Sequence, residues 1–207
     1  MSDTKLRESI ARAGASLFAR GLTHGASGNI SARTEDGGWL VTPTGVSLGN
    51  LDPAALSRFD ASGRQIEGPP PTKEMPLHGA LYDTRAAGAV VHLHATHSVA
   101  VSMLPGLDPA DVLPPLTAYY LMIVGRTALL PYHRPGDASV VAAIKGLAGR
   151  YAAVLLANHG PVVAGRDLAA AVAATEELEA TAKLFLLLHG RNPVLVPPDE
   201  VRALRGD

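Results

Sequence analysis

An α/β layered domain is the fold class this sequence predicts, and three observations predict it. Apolar residues at helical spacing open the chain and recur in a long alanine- and leucine-rich stretch near its end. Short β-prone segments divided by turn signals occupy residues 28–66. Compact apolar runs of strand length follow at 89–94 and 151–157.

Leu6, Ile10, Ala13, Leu17 and Phe18 mark one face of a first helix, and Gly21 stands where a left-handed cap would end it. Gly28 to Ala32, Trp39 to Thr42 after the turn Asp36-Gly37-Gly38, and the hairpin-like Arg58 to Ile66 around Ser62-Gly63 read as neighbouring antiparallel strands. Asp52-Pro53 has the N-cap and first-turn chemistry of a short helix. Thr72 is expected to cap another running toward Tyr82, with Pro76 tolerable because it lies near the start. Ala89 to His94 follows as a strand. Tyr151 to Ala157 reads as a buried strand ending at His159, and Asp167 caps a long helix to about His189, stopped by Gly190. Within that helix the cluster Glu176, Glu177, Glu179 followed by Lys183 suits a solvated face or a subunit contact.

With 207 residues, 47% of them hydrophobic, and no proline- or glycine-rich linker, the chain is expected to form one domain over residues 1–207. A formal net charge of −1 without a long Lys/Arg run offers no electrostatic footprint for nucleic acid or an anionic membrane, so a small substrate is expected. No charged-then-apolar leader opens the chain and no apolar stretch suits a spanning helix, so a soluble, cytoplasmic protein is expected. Cysteine is absent. Any metal must be held by His, Asp or Glu, and nucleophilic chemistry must do without a thiol.

Alternate strand residues share a face, so His92 and His94 converge while Val91 and Leu93 turn to the core; His159, after the next apolar run, supplies a third imidazole. Three nitrogen ligands leave coordination positions open, as in a catalytic rather than a structural zinc site; the plainer reading is a pair of half-buried strand histidines. His97 extends the spacing to H-x-H-x-x-H where the chain leaves the strand, so it is not expected to ligate. His24, His133 and His189 are expected in packing, turns or caps.

Ala26-Ser27-Gly28-Asn29-Ile30-Ser31 and Val41-Thr42-Pro43-Thr44-Gly45 are hydroxyl- and glycine-rich. They read either as plain turns or as loops whose N–H and hydroxyl donors share a phosphate, with Thr72-Lys73 adding donors and a cation at a helix start. Glu74 is the candidate acid/base, against the plainer role of a dipole-stabilising residue in a first helical turn. His78, one turn on, is a supporting or structural residue. Tyr119-Tyr120 is core, or a catalytic phenol if its loop reaches a site. Arg134 either forks around a carboxylate or pairs with Asp137 in its own loop.

Taken in order, Ser27-Gly28-Asn29-Ile30-Ser31, Thr42-Pro43-Thr44-Gly45, Thr72-Lys73-Glu74, His92-Leu93-His94 and Ala157-Asn158-His159-Gly160 resemble the class II aldolase/adducin family across essentially the whole chain. The resemblance implies a three-layer α/β/α sandwich with a mixed, largely antiparallel central sheet, and a homotetramer with active sites between subunits. It implies Zn²⁺, or another divalent metal, on His92, His94 and His159, with Glu74 as acid/base and as a further ligand when substrate is absent. It implies a phosphate pocket of Ser27, Gly28, Asn29, Thr42, Thr44, Gly45, Thr72 and Lys73.

Family enzymes share the stabilisation of an enediolate beside a metal-bound carbonyl. An acidic motif of the family's epimerases is missing where this chain reads Thr117-Ala118-Tyr119-Tyr120, which disfavours epimerisation. Residues Thr44 to Pro53, Pro71-Thr72-Lys73-Glu74 and Arg134-Pro135-Gly136-Asp137 look most like the family's decarboxylases of 3-oxo-tetronate 4-phosphates, implying a phosphorylated sugar acid as substrate. The enzyme alternative is an L-fuculose-1-phosphate-type aldolase, with Tyr119, from a neighbouring subunit, protonating the leaving alkoxide. The non-catalytic alternative is an adducin-like binding module, against which the retained ligands and Glu74 argue.

Overall fold

The helical spacing at the start of the chain forms α1 (Asp3–Ala19), which buries Leu6, Ile10, Gly14 and Leu17, and Gly21 follows in the left-handed region at φ 74°. Phe18, expected on the buried face, remains 38% exposed. A computed structural model describes residues 2–206.

Eight strands form one sheet: β1 (Asn29–Arg33), β2 (Trp39–Val41), β3 (Ser57–Phe59), β4 (Gln65–Glu67), β5 (Ala89–His92), β6 (Thr127–Leu130), β7 (Ala153–Leu156) and β8 (Gly160–Gly165). Their order is β4-β3-β2-β1-β5-β8-β7-β6. The pairings are antiparallel except β6 with β7, which run parallel.

Strand alternation then assigns the layers. Ile30, Ala32, Val91 and Leu93 pack with α1 and with α6 (Leu168–Leu188). Farther along the same face, Ala153, Leu155 and Val163 meet α3 (Thr96–Val101), α4 (Ala118–Ile123) and α6, with α7 (Pro198–Arg205) packed outside. On the other face Val90, Val154, Leu156, Val162 and Ala164 pack with α2 (Met75–Thr84) and α5 (Ser139–Gly146). The result is the expected three-layer α/β/α arrangement around a largely antiparallel sheet. Among the described residues, no helix is long and apolar enough to cross a membrane.

Several boundaries differ from the sequence expectation. Thr72 does not cap α2, which begins at Met75 with Glu74 at the N-cap position. Had Thr72 been the cap, Pro76 would fall where the first intrahelical N–H is needed, and proline has none; starting at Met75 places it in the first turn. β7 covers only Ala153–Leu156 of the expected run. Asp52 and Asp167 do cap, accepting from Ala54 N–H and Ala170 N–H. Glu179, expected on a solvated face, is buried, its carboxylate accepting from the backbone N–H groups of His97 and Ser98 at 2.8 Å each. β6, β8 and the short helices α3, α4, α5 and α7 are unassigned in the sequence, because helices of six to eight residues carry too little periodicity to detect. β8 also opens on Gly160-Pro161, which reads as a turn.

Gly160 has φ 149°, and a Cβ there would lie 2.2 Å from the Leu93 carbonyl oxygen. Gly160→Ala is therefore expected to destabilise the protein by about 1–3 kcal/mol, read from urea unfolding, because β8 must move away from the chain that follows β5.

Candidate metal centre and phosphate pocket

The site is built at the end of β5. Alternation turns Val91 and Leu93 to one face and His92 to the other, and His94, just past the strand, keeps the phase. His92 is fully buried, and its Nδ1 donates to the Pro161 carbonyl of β8 at 2.9 Å. That bond places the lone pair on Nε2, toward the cluster. His159 sits in the turn between β7 and β8, where Asn158 adopts φ 58°, a left-handed conformation Asn tolerates better than most residues. Glu74, at the N-terminus of α2, completes the group.

The four side chains converge: one ligand atom from each of Glu74, His92, His94 and His159 lies within 4.8 Å of the others. Glu74 Oε2 is 3.2 Å from His92 Nε2 and Oε1 is 3.2 Å from His159 Nε2, while the Nε2 atoms of His94 and His159 are 3.1 Å apart. Burial, reinforced by the neighbouring imidazoles, drives the His92 pKa down to about 3, and burial followed by His159 lowers that of His94. Burial also opposes ionisation of Glu74, but His92, the Asn29 amide, His159 and His94 together outweigh it and hold this carboxyl below its usual range. An ionised carboxylate thus faces a His92 ring that burial keeps neutral, so the approach to His92 is not a true ion pair. His92 Nε2 is buried without a hydrogen-bond partner. A divalent cation fits this set, since it would satisfy the orphaned lone pair and the carboxylate together.

Behind Glu74 runs a buried hydrogen-bond chain. Asn29 Nδ2 donates to Glu74 Oε2 at 2.8 Å; His78 Nε2 lies 2.5 Å from Asn29 Oδ1; Ser31 Oγ lies 2.7 Å from His78 Nδ1 and 2.8 Å from Tyr82 OH. One proton order satisfies every link: Tyr82 donates to Ser31, Ser31 to His78, His78 to Asn29 and Asn29 to Glu74. Burial lowers the His78 pKa to about 4, keeping the neutral ring that both accepts and donates. Of this chain the sequence reading singled out Glu74 as acid/base, Asn29 for the phosphate pocket and His78 as a supporting residue. The missed signal is Tyr82, which continues the four-residue spacing of Glu74 and His78 along α2, facing Asn29 and Ser31 at alternate positions of β1.

A hollow of about 230 Å³ beside the cluster is lined by Ser27, Gly28, Thr44, Gly45, Thr72 and Lys73, together with Asn29, Glu74, His94 and His159. Gly28 adopts φ 80°, and a Cβ would press to 3.0 Å of the His92 carbonyl oxygen, so glycine lets this loop lie against the histidine strand. Thr42, placed in this pocket by the sequence, does not line it. It is buried, with Oγ1 accepting from Ile30 N–H at 3.1 Å and its carbonyl from Thr72 N–H at 3.1 Å, and so ties the loops to β1.

The remaining candidates separate clearly. His97 opens into α3 and meets Glu179 at 2.8 Å, outside the cluster. Tyr120 is buried against Thr127, whereas Tyr119 is 66% exposed on α4 and lines neither this hollow nor the adjoining one that holds Arg134. Arg134 makes no ion pair with Asp137 among the described residues: Asp137 Oδ1 accepts from Ser139 N–H at 2.8 Å instead, as the chain enters α5.

Residues 8–186 match the class II aldolase and adducin N-terminal domain. The chain is 50% identical to the 3-oxo-tetronate 4-phosphate decarboxylase of Cupriavidus necator, covering 90% of this chain and 86% of that protein. It is 32% identical to the L-fuculose phosphate aldolase of Escherichia coli K12, covering 97% and 92%. The crystal structure of YgbL from Klebsiella pneumoniae superposes with a TM-score of 0.96 at 46% identity, covering 99% of this chain and 100% of that one.

His92→Ala, His94→Ala and His159→Ala are each expected to lower bound metal, measured by elemental analysis of purified protein, while His97→Ala leaves it near wild type; loss of metal from His97→Ala alone would refute the ligand set. His78→Phe fills the same space but leaves Asn29 Oδ1 and the Ser31 hydroxyl short of partners. It should lower unfolding free energy by about 2–4 kcal/mol in urea.

Proposed function

This chain belongs to the class II aldolase/adducin family, and from that premise we propose that residues 1–207 act as one domain catalysing the zinc-dependent decarboxylation of a 3-oxo-tetronate 4-phosphate to dihydroxyacetone phosphate and carbon dioxide. The observation that carries this choice is the greater likeness to a 3-oxo-tetronate 4-phosphate decarboxylase than to an L-fuculose phosphate aldolase.

His92, His94 and His159 would hold the metal, with Glu74 a further ligand when substrate is absent. Bound there, a divalent cation, zinc in our reading, would supply Lewis-acid charge to the substrate ketone, and no organic cofactor is needed. Ser27, Gly28, Asn29, Thr44, Gly45, Thr72 and Lys73 bind the phosphate and fix the four-carbon chain across the histidines. The C1–C2 bond breaks, its electron pair passes into the C2–C3 enediolate, and carbon dioxide departs. Glu74, ionised at rest, takes up a proton from solvent and delivers it to C2, giving the ketose phosphate. The chain from Tyr82 through Ser31, His78 and Asn29 aims the Glu74 carboxylate while it changes protonation state. We further read the protein as a cytoplasmic homotetramer with sites between subunits, where the exposed Tyr119 serves a neighbour's site.

Glu74→Gln is expected to keep the fold and much of the metal but to lose about 10²–10⁴ in turnover, the usual scale for a positioned acid/base. Near-normal turnover by metal-loaded Glu74→Gln would remove that role. Incubation of the wild-type protein with a 3-oxo-tetronate 4-phosphate and with fuculose 1-phosphate, assaying carbon dioxide and lactaldehyde, decides the reaction. Carbon dioxide is expected; lactaldehyde alone would make the protein an aldolase.

A further inference from the structure

Two hollows flank Glu74 and His159. Both also touch Lys73 and Pro135, but otherwise their walls differ. The loops at 26–29 and 43–45 line only one. The segment His133-Arg134-Pro135-Gly136-Asp137, between β6 and α5, supplies Arg134 to the other. We infer that Arg134 binds the carboxylate that the substrate loses, so that the flanking hollow is a carboxylate subsite; this rests on the decarboxylase reading above.

The segment is anchored without using the guanidinium. Asp137 N–H donates to the Arg134 carbonyl at 2.9 Å, Asp137 Oδ1 accepts from Ser139 N–H at 2.8 Å, and His133 Nδ1 meets Ser139 Oγ at 2.9 Å. Asp137, the acid nearest in sequence, lines the same hollow and feels the Arg134 charge, but its Oδ1 is turned to the start of α5, and no carboxylate among the described residues forms an ion pair with Arg134. His133 Nε2, in the same wall, is buried with no hydrogen-bond partner. The hollow therefore presents a planar cation, near Asp137 but with its N–H donors not engaged in an ion pair, beside an unused imidazole nitrogen.

A 3-oxo-tetronate 4-phosphate carries its two anions at opposite ends of four carbons with the ketone between them. With the phosphate in the loops and the ketone at the histidines, the carboxylate falls on the side away from those loops. A guanidinium matches a carboxylate with two parallel N–H donors. The contact belongs to the bound acid and weakens as the charge leaves with carbon dioxide. It thus selects the substrate rather than accelerating the step, and its removal should raise KM while kcat holds or rises slightly.

The test measures binding to metal-loaded protein by calorimetry, with erythronate 4-phosphate, which has both anions, and glycerol 3-phosphate, which has only the phosphate. The wild type should prefer the acid. Arg134→Ala should weaken the acid by about 10- to 100-fold and leave glycerol 3-phosphate within about twofold, with Arg134→Lys recovering part of the loss. Equal weakening of both ligands would assign Arg134 to the phosphate, and no weakening of either would remove it from the site; both outcomes overturn the inference while leaving the decarboxylase reading intact. If the wild type itself shows no preference for the acid, the decarboxylase reading fails and this subsite with it.

Discussion

A carboxylate buried against three imidazoles is costly unless something offsets the lost hydration, and the arrangement around Glu74 follows from that constraint. Burial alone would favour the protonated acid. Among side chains, the Asn29 amide donates to the charge, and a cation among the three facing ring nitrogens would offset the rest. The histidines cannot answer by becoming cations, since burial holds His92 and His94 neutral. What remains is a set of lone pairs aimed at one point, with His92 Nε2 lacking any protein partner.

The surrounding backbone is shaped to maintain this geometry. The Pro161 carbonyl sets the His92 tautomer, accepting from both His92 Nδ1 and Leu93 N–H. Gly160 lets β8 approach Leu93, and Gly28 lets the loop at 26–29 approach His92. Asn29 serves two surfaces, since it lines the hollow while its amide lies between His78 and Glu74. If the amide turned over, its oxygen would face the carboxylate, and the fixed proton order from Tyr82 inward opposes that turn.

Glu179 and His97 provide a contrast built from the same residue types. The Glu179 carboxylate accepts from His97 N–H, Ser98 N–H and the Ser98 hydroxyl, and it meets His97 Nδ1. Every oxygen is satisfied within the protein, and the effect is to fasten α6 to the start of α3. Glu74 differs in having nitrogen lone pairs, not donors, on most sides. The distinction between a fastening carboxylate and one able to hold a metal thus lies in what the opposing atoms can donate.

Much of this molecule is written locally. The alternation through Val91, His92, Leu93 and His94 already divides core from site, because a strand's period survives one residue past its last hydrogen bond. The caps at Asp52 and Asp167, the hairpin at Ser62-Gly63 and the order of the five motifs are likewise local, and they suffice for the fold class and the four converging side chains. Other features required chain segments far apart in sequence to meet. Thr42 has the composition of a phosphate loop, but antiparallel pairing turns its hydroxyl to Ile30. Arg134 and Asp137 are three residues apart and look like a pair until Ser139 captures the acid. Glu179 belongs by sequence to an acidic surface cluster, yet α3 packs over it. Sequence spacing encodes the direction of a side chain along its own element, whereas its hydrogen-bond partner depends on what the other layers place opposite, and only the assembled sheet and helices decide that.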